Sequence, residues 1–399
     1  MTSAVLPLAA PTATRSEKLV QAVLAAGLAA FGLFLPFSTA GVSIMLGVLL
    51  LIAGLMARRL WRMQAWREPV LGMGLVLFAY IAMRSLAETG LHGHPLKLVN
   101  HYHELLMIPV LYTLLRASTH RKAFIVGLGV GAVGLALMHW LPLPPEWAFK
   151  VELRRISAGF GLSLCAFLFL EEARIGGVPR KLGYAVALFL AVTVVFAVAA
   201  RTGYVVLALL LGCAAWRALQ GRWRLVAVIV LALTAALLVT LGSSVREKRG
   251  DTAVSNRIRA EFLHNGLQVA REHWLFGTGW GGYPEAYAEV AQRNGAAPQA
   301  LWAKSHNAHN EYLMQLAAGG VPALLLFVAW LAVPIVRPWR RPDGPLGASN
   351  SLACVALAFA AGCLFNSLLL DFVEAHLYGA LVAWLLARQA PLARPESQP

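Results

Sequence analysis

Long apolar runs separated by short polar breaks dominate the chain. A helix that crosses a hydrocarbon core of about 30 Å needs about 17 to 25 mostly apolar residues. Runs close to this length recur twelve times and predict an all-α, polytopic membrane protein. The predicted membrane helices cover residues 19–37, 40–57, 69–87, 103–116, 123–142, 155–171, 182–200, 203–219, 225–242, 319–336, 348–366 and 368–387.

One long polar stretch, residues 243–318, separates the ninth and tenth predicted helices. Because it is tied to the membrane at both ends, whatever it binds must meet the protein at the bilayer surface, which suggests a lipid-linked substrate. The predicted division of the chain is therefore an N-terminal tail (1–18), helices 1–9 (19–242), the polar stretch with the active site (243–318), helices 10–12 (319–387) and a C-terminal tail (388–399).

Basic residues occupy every second short loop. The positive-inside rule then places both termini in the cytoplasm and the long polar stretch outside, which in a bacterial inner membrane means the periplasm. The loop residues in question are Arg58, Arg59, Arg62 and Arg67, then Arg116, Arg121 and Lys122, then Arg174, Arg180 and Lys181, then Arg217, Arg222 and Arg224, then Arg337, Arg340 and Arg341.

Composition and charge agree with a membrane protein. Hydrophobic residues make up 59% of the chain and charged residues 13%, against about 25% charged in soluble domains. The net charge of +15 does not indicate nucleic-acid binding, because the cations are spread over loops beside the membrane, where they predict contacts with membrane lipids. The four cysteines, all in predicted helices, look like small apolar packing residues: Cys165, Cys213, Cys354 and Cys363.

Within the polar stretch, SerAsnArgIleArgAlaGluPhe (255–262) predicts a helix that Ser255 or Asn256 could cap. LeuPheGlyThrGlyTrpGlyGlyTyr (275–283) then breaks the pattern, and its four glycines would allow the backbone to approach a ligand closely. The nearby aromatic residues could line a sugar-binding surface or form an interfacial aromatic belt. These residues are Tyr283, Tyr287 and Trp302.

Three motifs in this order resemble the O-antigen ligase and polymerase superfamily. They are ArgThrGly (201–203), then SerAsnArg (255–257) followed by LeuPheGlyThrGlyTrpGly, then AlaHisAsnGluTyrLeu (308–313) followed by GlyGly. The similarity covers roughly residues 180–370. It implies an outward-facing enzyme that takes a glycan from undecaprenyl diphosphate without a metal ion, a nucleotide sugar or another cofactor.

The resemblance also implies roles for particular residues. Arg201 and Arg257 would bind the diphosphate, with Arg259 as the alternative to Arg257, because guanidiniums stay charged and bind phosphate oxygens in pairs. His309 would take the proton from the acceptor hydroxyl. Arg201 could instead be an interfacial anchor. Two further candidates for substrate binding, Arg154 and Arg155, lie at another outward helix end.

His306 and His309 are three residues apart, so on a helix they would share a face and could hold a metal. No further ligand follows with a recognisable spacing, so we predict no metal site. We expect His306 to shape the site and Asn310 to orient His309 or bind a sugar hydroxyl. The histidine-rich segment 92–104 could contribute to acceptor or diphosphate binding, or could simply be solvated.

The leading function is an O-antigen ligase, which joins the polymer to the lipid A-core oligosaccharide. A polymerase that uses the same donor and a protein O-oligosaccharyltransferase are the alternatives within the same superfamily. A transporter of lipid-linked sugars is the alternative from another class. It is disfavoured because the charges lie at helix ends, whereas transporters commonly place ionisable residues at the membrane midplane.

Overall fold

The structure, a computed structural model, describes residues 15–55, 65–89, 99–247, 251–340 and 347–389. Within these ranges the chain forms helices and no strand, so the prediction of an all-α protein is confirmed. Parts of both predicted tails, the basic loop residues Arg58, Arg59, Arg62 and Arg341, and residues 92–98 lie outside the described residues. The α-helices are α1 (Arg15–Phe34), α2 (Thr39–Leu55), α3 (Pro69–Thr89), α4 (Glu104–Leu114), α5 (Ser118–Trp140), α6 (Pro145–Leu153), α7 (Arg155–Ile175), α8 (Arg180–Val192), α9 (Arg201–Ala218), α10 (Arg222–Glu247), α11 (Asp251–Glu272), α12 (Tyr283–Arg293), α13 (Glu311–Arg340), α14 (Ala348–Gly362) and α15 (Phe372–Gln389).

Each of the twelve predicted apolar segments lies largely within one of these helices. In the part of the chain that the structure describes, six helices are long and apolar enough to cross a membrane, so a multi-pass membrane protein is supported but twelve spans are not confirmed. With 11 residues, α4 is about 17 Å long, well short of a bilayer core. The six are Pro69–Glu88, Ser118–Trp140, Arg155–Ile175, Arg180–Val198, Arg222–Thr240 and Glu311–Pro338.

Helices α7 and α15 form the centre of the bundle. Nearly all of α15 and most of α7 are buried, whereas α10 exposes apolar side chains such as Leu225, Ile229 and Leu233. Ser157, near the start of α7, hydrogen-bonds Glu374, near the start of α15. The two central helices therefore begin at the same end of the bundle.

The glycine of the ArgThrGly motif allows α7 and α9 to approach closely. A Cβ on Gly203 would lie 3.0 Å from the Cα of Gly159 in α7. The Ser163 hydroxyl donates to the carbonyl oxygens of Gly159 (2.6 Å) and Gly203 (3.2 Å). This contact fixes the beginnings of the two helices, with Arg155 and Arg201, side by side.

The glycine-rich segment 275–283 connects the polar stretch to the bundle. The N–H of Gly279 donates to the Ala318 carbonyl at 2.8 Å, and Arg84 of α3 donates to the Gly277 carbonyl at 3.1 Å. Gly277 has a φ of 71°, and a Cβ there would lie 2.2 Å from the Ala318 carbonyl oxygen. Gly277 permits close approach to the protein's own backbone, and a Cβ on Gly279 would meet the Glu88 carboxylate, so at these two positions the expectation that the glycines serve approach to a ligand is wrong.

We expect Gly277→Ala to destabilise the protein by about 2–5 kcal/mol, since it adds a steric overlap to the cost of a positive φ. Gly295→Ala is the matched control, because Gly295 has a φ of 82° but nothing within 4 Å of its Cβ position. Gly295→Ala should lower the free energy of unfolding only by the cost of a positive φ, about 1–2 kcal/mol. Unfolding of both purified variants would measure the difference, and equal losses would contradict a docking role for Gly277.

Candidate functional site

Arg201 lies at the first residue of α9, at the end of the bundle where α7 also begins. A π-helical turn (Thr193–Val198) and Ala199, with a φ of 51°, precede it. Its Nη1 donates to Oδ1 of Asn256 at 2.9 Å. Asn256 is therefore not a helix cap, and neither is Ser255, because α11 already begins at Asp251. The polar helix α11 is thus joined to the bundle at Arg201.

Three guanidiniums meet at this end of the bundle. Burial lowers the pKa of Arg259, and the positive charges of Arg201 and Arg155 lower it further. Clustered cations repel one another unless an anion lies between them, and the N-termini of α7 and α9 add positive potential. Both Arg257 and Arg259 retain solvent exposure on α11, but the charges of Arg155 and Arg201 act on Arg259, so Arg259 is the arginine of this motif that joins the cluster.

Arg154 makes its hydrogen bond to a different part of the bundle. Its Nη1 donates to the Phe37 carbonyl at 2.9 Å, which links the start of α7 to the turn between α1 and α2. Of the two candidates at this helix end, Arg155 is the one that faces the arginine cluster.

His309 lies in a loop immediately before α13, with a φ of 51°. Its backbone N–H donates to the Asn307 side chain at 2.7 Å, and its ring stacks on Phe262 of α11 with centroids 4.8 Å apart. Left-handed backbone costs a histidine about 1 kcal/mol, and such conformations cluster at functional sites. The expected helical face shared by His306 and His309 does not exist, because the helix begins only at Glu311 and His306 is exposed.

The environment of His309 favours the neutral imidazole. Burial lowers its pKa below the ordinary histidine value, a hydrogen bond with Asn366 opposes this, and the charge of Arg259 lowers it further. A neutral imidazole can accept a proton. The charge of Arg259 thus acts on His309 and links the histidine to the arginine cluster.

Asn366 and Asp371 were not identified from the sequence. The Asn366 amide nitrogen donates to the Asp371 carboxylate, and the hydrogen bond between Asn366 and His309 raises the pKa of His309, so the Asn366 oxygen accepts from the ring. A side-chain amide with one end held by a carboxylate has a fixed orientation. This chain of contacts orients the imidazole and leaves one ring nitrogen for a substrate.

The loop that carries Asn366 and Asp371 is fastened to the start of α13. Glu311, fully buried, accepts from the backbone N–H of Leu369 at 2.9 Å, and its own N–H donates to Cys363 at 2.8 Å. Asn310 donates to the Leu364 carbonyl at 3.0 Å and caps the N–H of Leu313 at 2.9 Å. The amide of Asn310 is thus engaged in holding the loop and does not point to a sugar.

Tyr283 and Tyr287 are completely buried, so they do not line an open sugar-binding surface. Tyr287 instead accepts from Asn265 (3.2 Å) and donates to the Trp302 carbonyl (3.0 Å). These contacts hold α11, α12 and the following loop together. Within the described ranges, no three His, Cys, Asp or Glu side chains converge on a point where they could hold a metal ion.

The comparisons with known proteins agree with the motifs. Residues 186–328 match the family model described as O-antigen ligase, a stretch that includes Arg201, Arg257, Arg259 and His309 and ends before Asn366. No curated protein matches the chain. Members of that family act on lipid-linked glycans. The resemblance to the O-antigen ligase and polymerase superfamily is therefore confirmed over residues 186–328.

Proposed function

We propose that the protein is an O-antigen ligase that transfers a glycan from undecaprenyl diphosphate to the lipid A-core oligosaccharide. The observation that supports it most is the convergence of Arg155, Arg201 and Arg259 beside a neutral, oriented His309. The three arginines suit a leaving group of high negative charge. The histidine suits an acceptor hydroxyl that must lose a proton.

The arginines would bind the diphosphate of the donor. A diphosphate that leaves with the electrons of the glycosidic bond gains negative charge, and fixed guanidiniums stabilise that charge without reorganising. The N-termini of α7 and α9 add backbone N–H groups and a favourable dipole. We therefore expect transfer to proceed without an added divalent cation.

His309 would act on the acceptor. Its free ring nitrogen takes the proton of an acceptor hydroxyl while that oxygen attacks the anomeric carbon. The new carbon–oxygen bond forms as the bond to the diphosphate breaks, so a single displacement inverts the configuration at that carbon. Asn366 and Asp371 would keep the imidazole in the tautomer that this step requires.

The orientation of the chain follows the same proposal. We place twelve helices in the bacterial inner membrane, both termini in the cytoplasm and residues 243–318 in the periplasm, where lipid-linked donor and lipid A-core would both reach the site. The basic residues of the alternate loops support this arrangement. The shorter helices α1, α2, α4 and α14 would then rely on their neighbours or on local thinning of the bilayer.

A lipopolysaccharide gel tests the proposal. In a strain without its own ligase, with matched donor and core, the unmodified chain is expected to restore a ladder on lipid A-core, and so is His273→Ala, an exposed histidine at the end of α11. No ladder despite expression would refute the ligase. Longer carrier-linked chains would then indicate a polymerase, glycosylated protein would indicate an oligosaccharyltransferase, and donor moved without any product would indicate a transporter.

A further inference from the structure

Two histidines outside the proposed site face each other directly. His103, just before α4, and His376, in the second turn of α15, approach with their Nε2 atoms 3.0 Å apart. His376 is buried and stacks on Phe372, with ring centroids 3.9 Å apart. The pair therefore joins the segment before α4 to the helix that follows Asp371.

The other ring nitrogens already have partners that can only accept. Nδ1 of His103 lies 2.5 Å from the Asn100 carbonyl oxygen, and Nδ1 of His376 lies 2.7 Å from the Phe372 carbonyl oxygen. A carbonyl cannot donate, so each Nδ1 must carry a hydrogen. If both rings were neutral, two lone pairs would face each other at 3.0 Å, which is repulsive.

We propose that His103 and His376 share a single proton and, as a cationic pair, are positioning residues for the start of α15. A separation of 3.0 Å is the ordinary length of a hydrogen bond from nitrogen. A metal ion between the rings would need further ligands, and among the described residues no third His, Cys, Asp or Glu completes a site.

Two buried carboxyl groups lie beside the pair along the chain. Glu104 and Glu374 are buried and each has a carboxylate oxygen with no hydrogen-bond partner. The charged and titratable groups that the neighbouring elements contribute are Tyr102 and Glu104 beside His103, Asp371 and Glu374 at the start of α15, Glu311 of α13 and Arg154 before α7.

The pair stands five residues from Asp371, which anchors Asn366 and through it His309. Loss of the shared proton would release the segment before α4 from α15 and loosen this anchor. The positioning role rests on the proposed function, whereas the shared proton does not, so the two are tested separately.

Proton counting predicts how the stability of the fold depends on pH. The two histidines of an unfolded chain titrate near about pH 6.5, so they hold two protons at low pH and none at high pH, while the native pair holds one. Stability falls with rising pH where the native state binds more protons, and with falling pH where the unfolded state does. The contribution of the histidine pair to the stability of the fold is therefore greatest at about pH 6.5.

The melting temperature of the purified full chain, dialysed against a chelator and measured from pH 5 to 8.5, tests the shared proton. His103→Gln is the matched variant, because its amide can donate to Nε2 of His376 without an ionisable proton. Subtracting the variant curve from the native one should leave a plateau below about pH 6 and a decline of about 1–2 °C per pH unit above about pH 7, because at low pH the folded pair and the folded variant each bind one proton fewer than their unfolded chains. A difference that instead rises to a plateau at high pH would mean a neutral pair, and a decline seen only in samples without the chelator would mean a metal; either overturns the proposal.

The positioning role is tested by glycan transfer. His103→Gln should retain transfer within about threefold at pH 6.5 and should lack the decline at high pH that loss of the shared proton would cause in the native chain, since it keeps the hydrogen bond without the proton. His103→Ala, which keeps neither, should lose transfer at every pH. Equal activity of the native chain and His103→Ala would overturn the positioning role even if the melting curves confirm the shared proton.

Discussion

His309→Ala is expected to lower the rate of glycan transfer by about 10²- to 10⁴-fold, the usual contribution of a general acid or base. The reason is that the ring, stacked on Phe262 and held by Asn366, has no neighbour of the same chemistry that could replace it. His306 is exposed in the same loop but lacks these contacts. The measurement is transfer from an undecaprenyl diphosphate-linked donor to lipid A-core by the purified full chain, with chelator present.

Two controls separate chemistry from folding. The melting temperature of His309→Ala should stay within a few degrees of the native value, because the substitution removes a ring that is only partly buried. His273→Ala, at the other end of α11, should transfer at the native rate. If His309→Ala were as active as His273→Ala, the proton would have another acceptor and the proposed mechanism would fail.

The helices were predictable because apolar content over about twenty residues is a strong signal that does not depend on tertiary contacts. Each of the twelve apolar segments lies largely within a helix. Helix ends were less predictable. Hydropathy continues through residues 363–371, a loop where Asn366 and Asp371 turn toward the site, so the sequence merged this loop with the helices on either side.

The motifs gave the residue types of the site but not its contacts. Asn366 meets His309 across 57 residues of chain, and no local pattern announces such a pairing. A signal was nevertheless present, because Asp371, Glu374 and His376 are ionisable residues inside a predicted membrane helix, where such residues usually have a function. Given that rule, this group of residues was the part of the site that could have been found.

The glycine motif was misinterpreted for a related reason. A glycine permits close approach of any group, and the sequence does not say whether that group is a ligand or the protein itself. In the structure the partner of Gly277 is the backbone of α13 beside its kink at Gly320. The motif therefore holds the polar stretch on the bundle, which is a condition for bringing Arg259 to Arg201.

Arg259→Lys is expected to lower transfer by about 10- to 100-fold, since lysine keeps the charge but loses paired hydrogen bonds to phosphate oxygens worth about 1.5–3 kcal/mol. Arg201→Lys should behave in the same way, and it would also lose the contact with Asn256. Arg257→Lys should have the smaller effect, because the cluster with Arg155 and Arg201 forms around Arg259. Arg271→Lys, exposed at the end of the same helix, is the matched control.

The ranking of these variants decides between the two arginines of the motif. A loss for Arg257→Lys larger than for Arg259→Lys would place the diphosphate away from the cluster that Arg155 and Arg201 form. Native activity in all the lysine variants would contradict the proposal that paired hydrogen bonds to the diphosphate contribute to transfer.

The pH dependence of kcat/KM provides a sharper test, because Arg259 and Asn366 act on His309 in opposite directions. Transfer requires the neutral imidazole, so the rate rises with pH through the pKa of His309. Removing the cation in Arg259→Gln eliminates a charge that disfavours the imidazolium, so the pKa rises and the acidic limb moves to higher pH. Asn366→Ala removes a hydrogen bond that favours the imidazolium, so the limb moves to lower pH. A structural defect would lower kcat/KM without moving the acidic limb of its pH profile. Shifts of the same sign in both variants would contradict the arrangement of Arg259, His309 and Asn366 around one reacting hydroxyl.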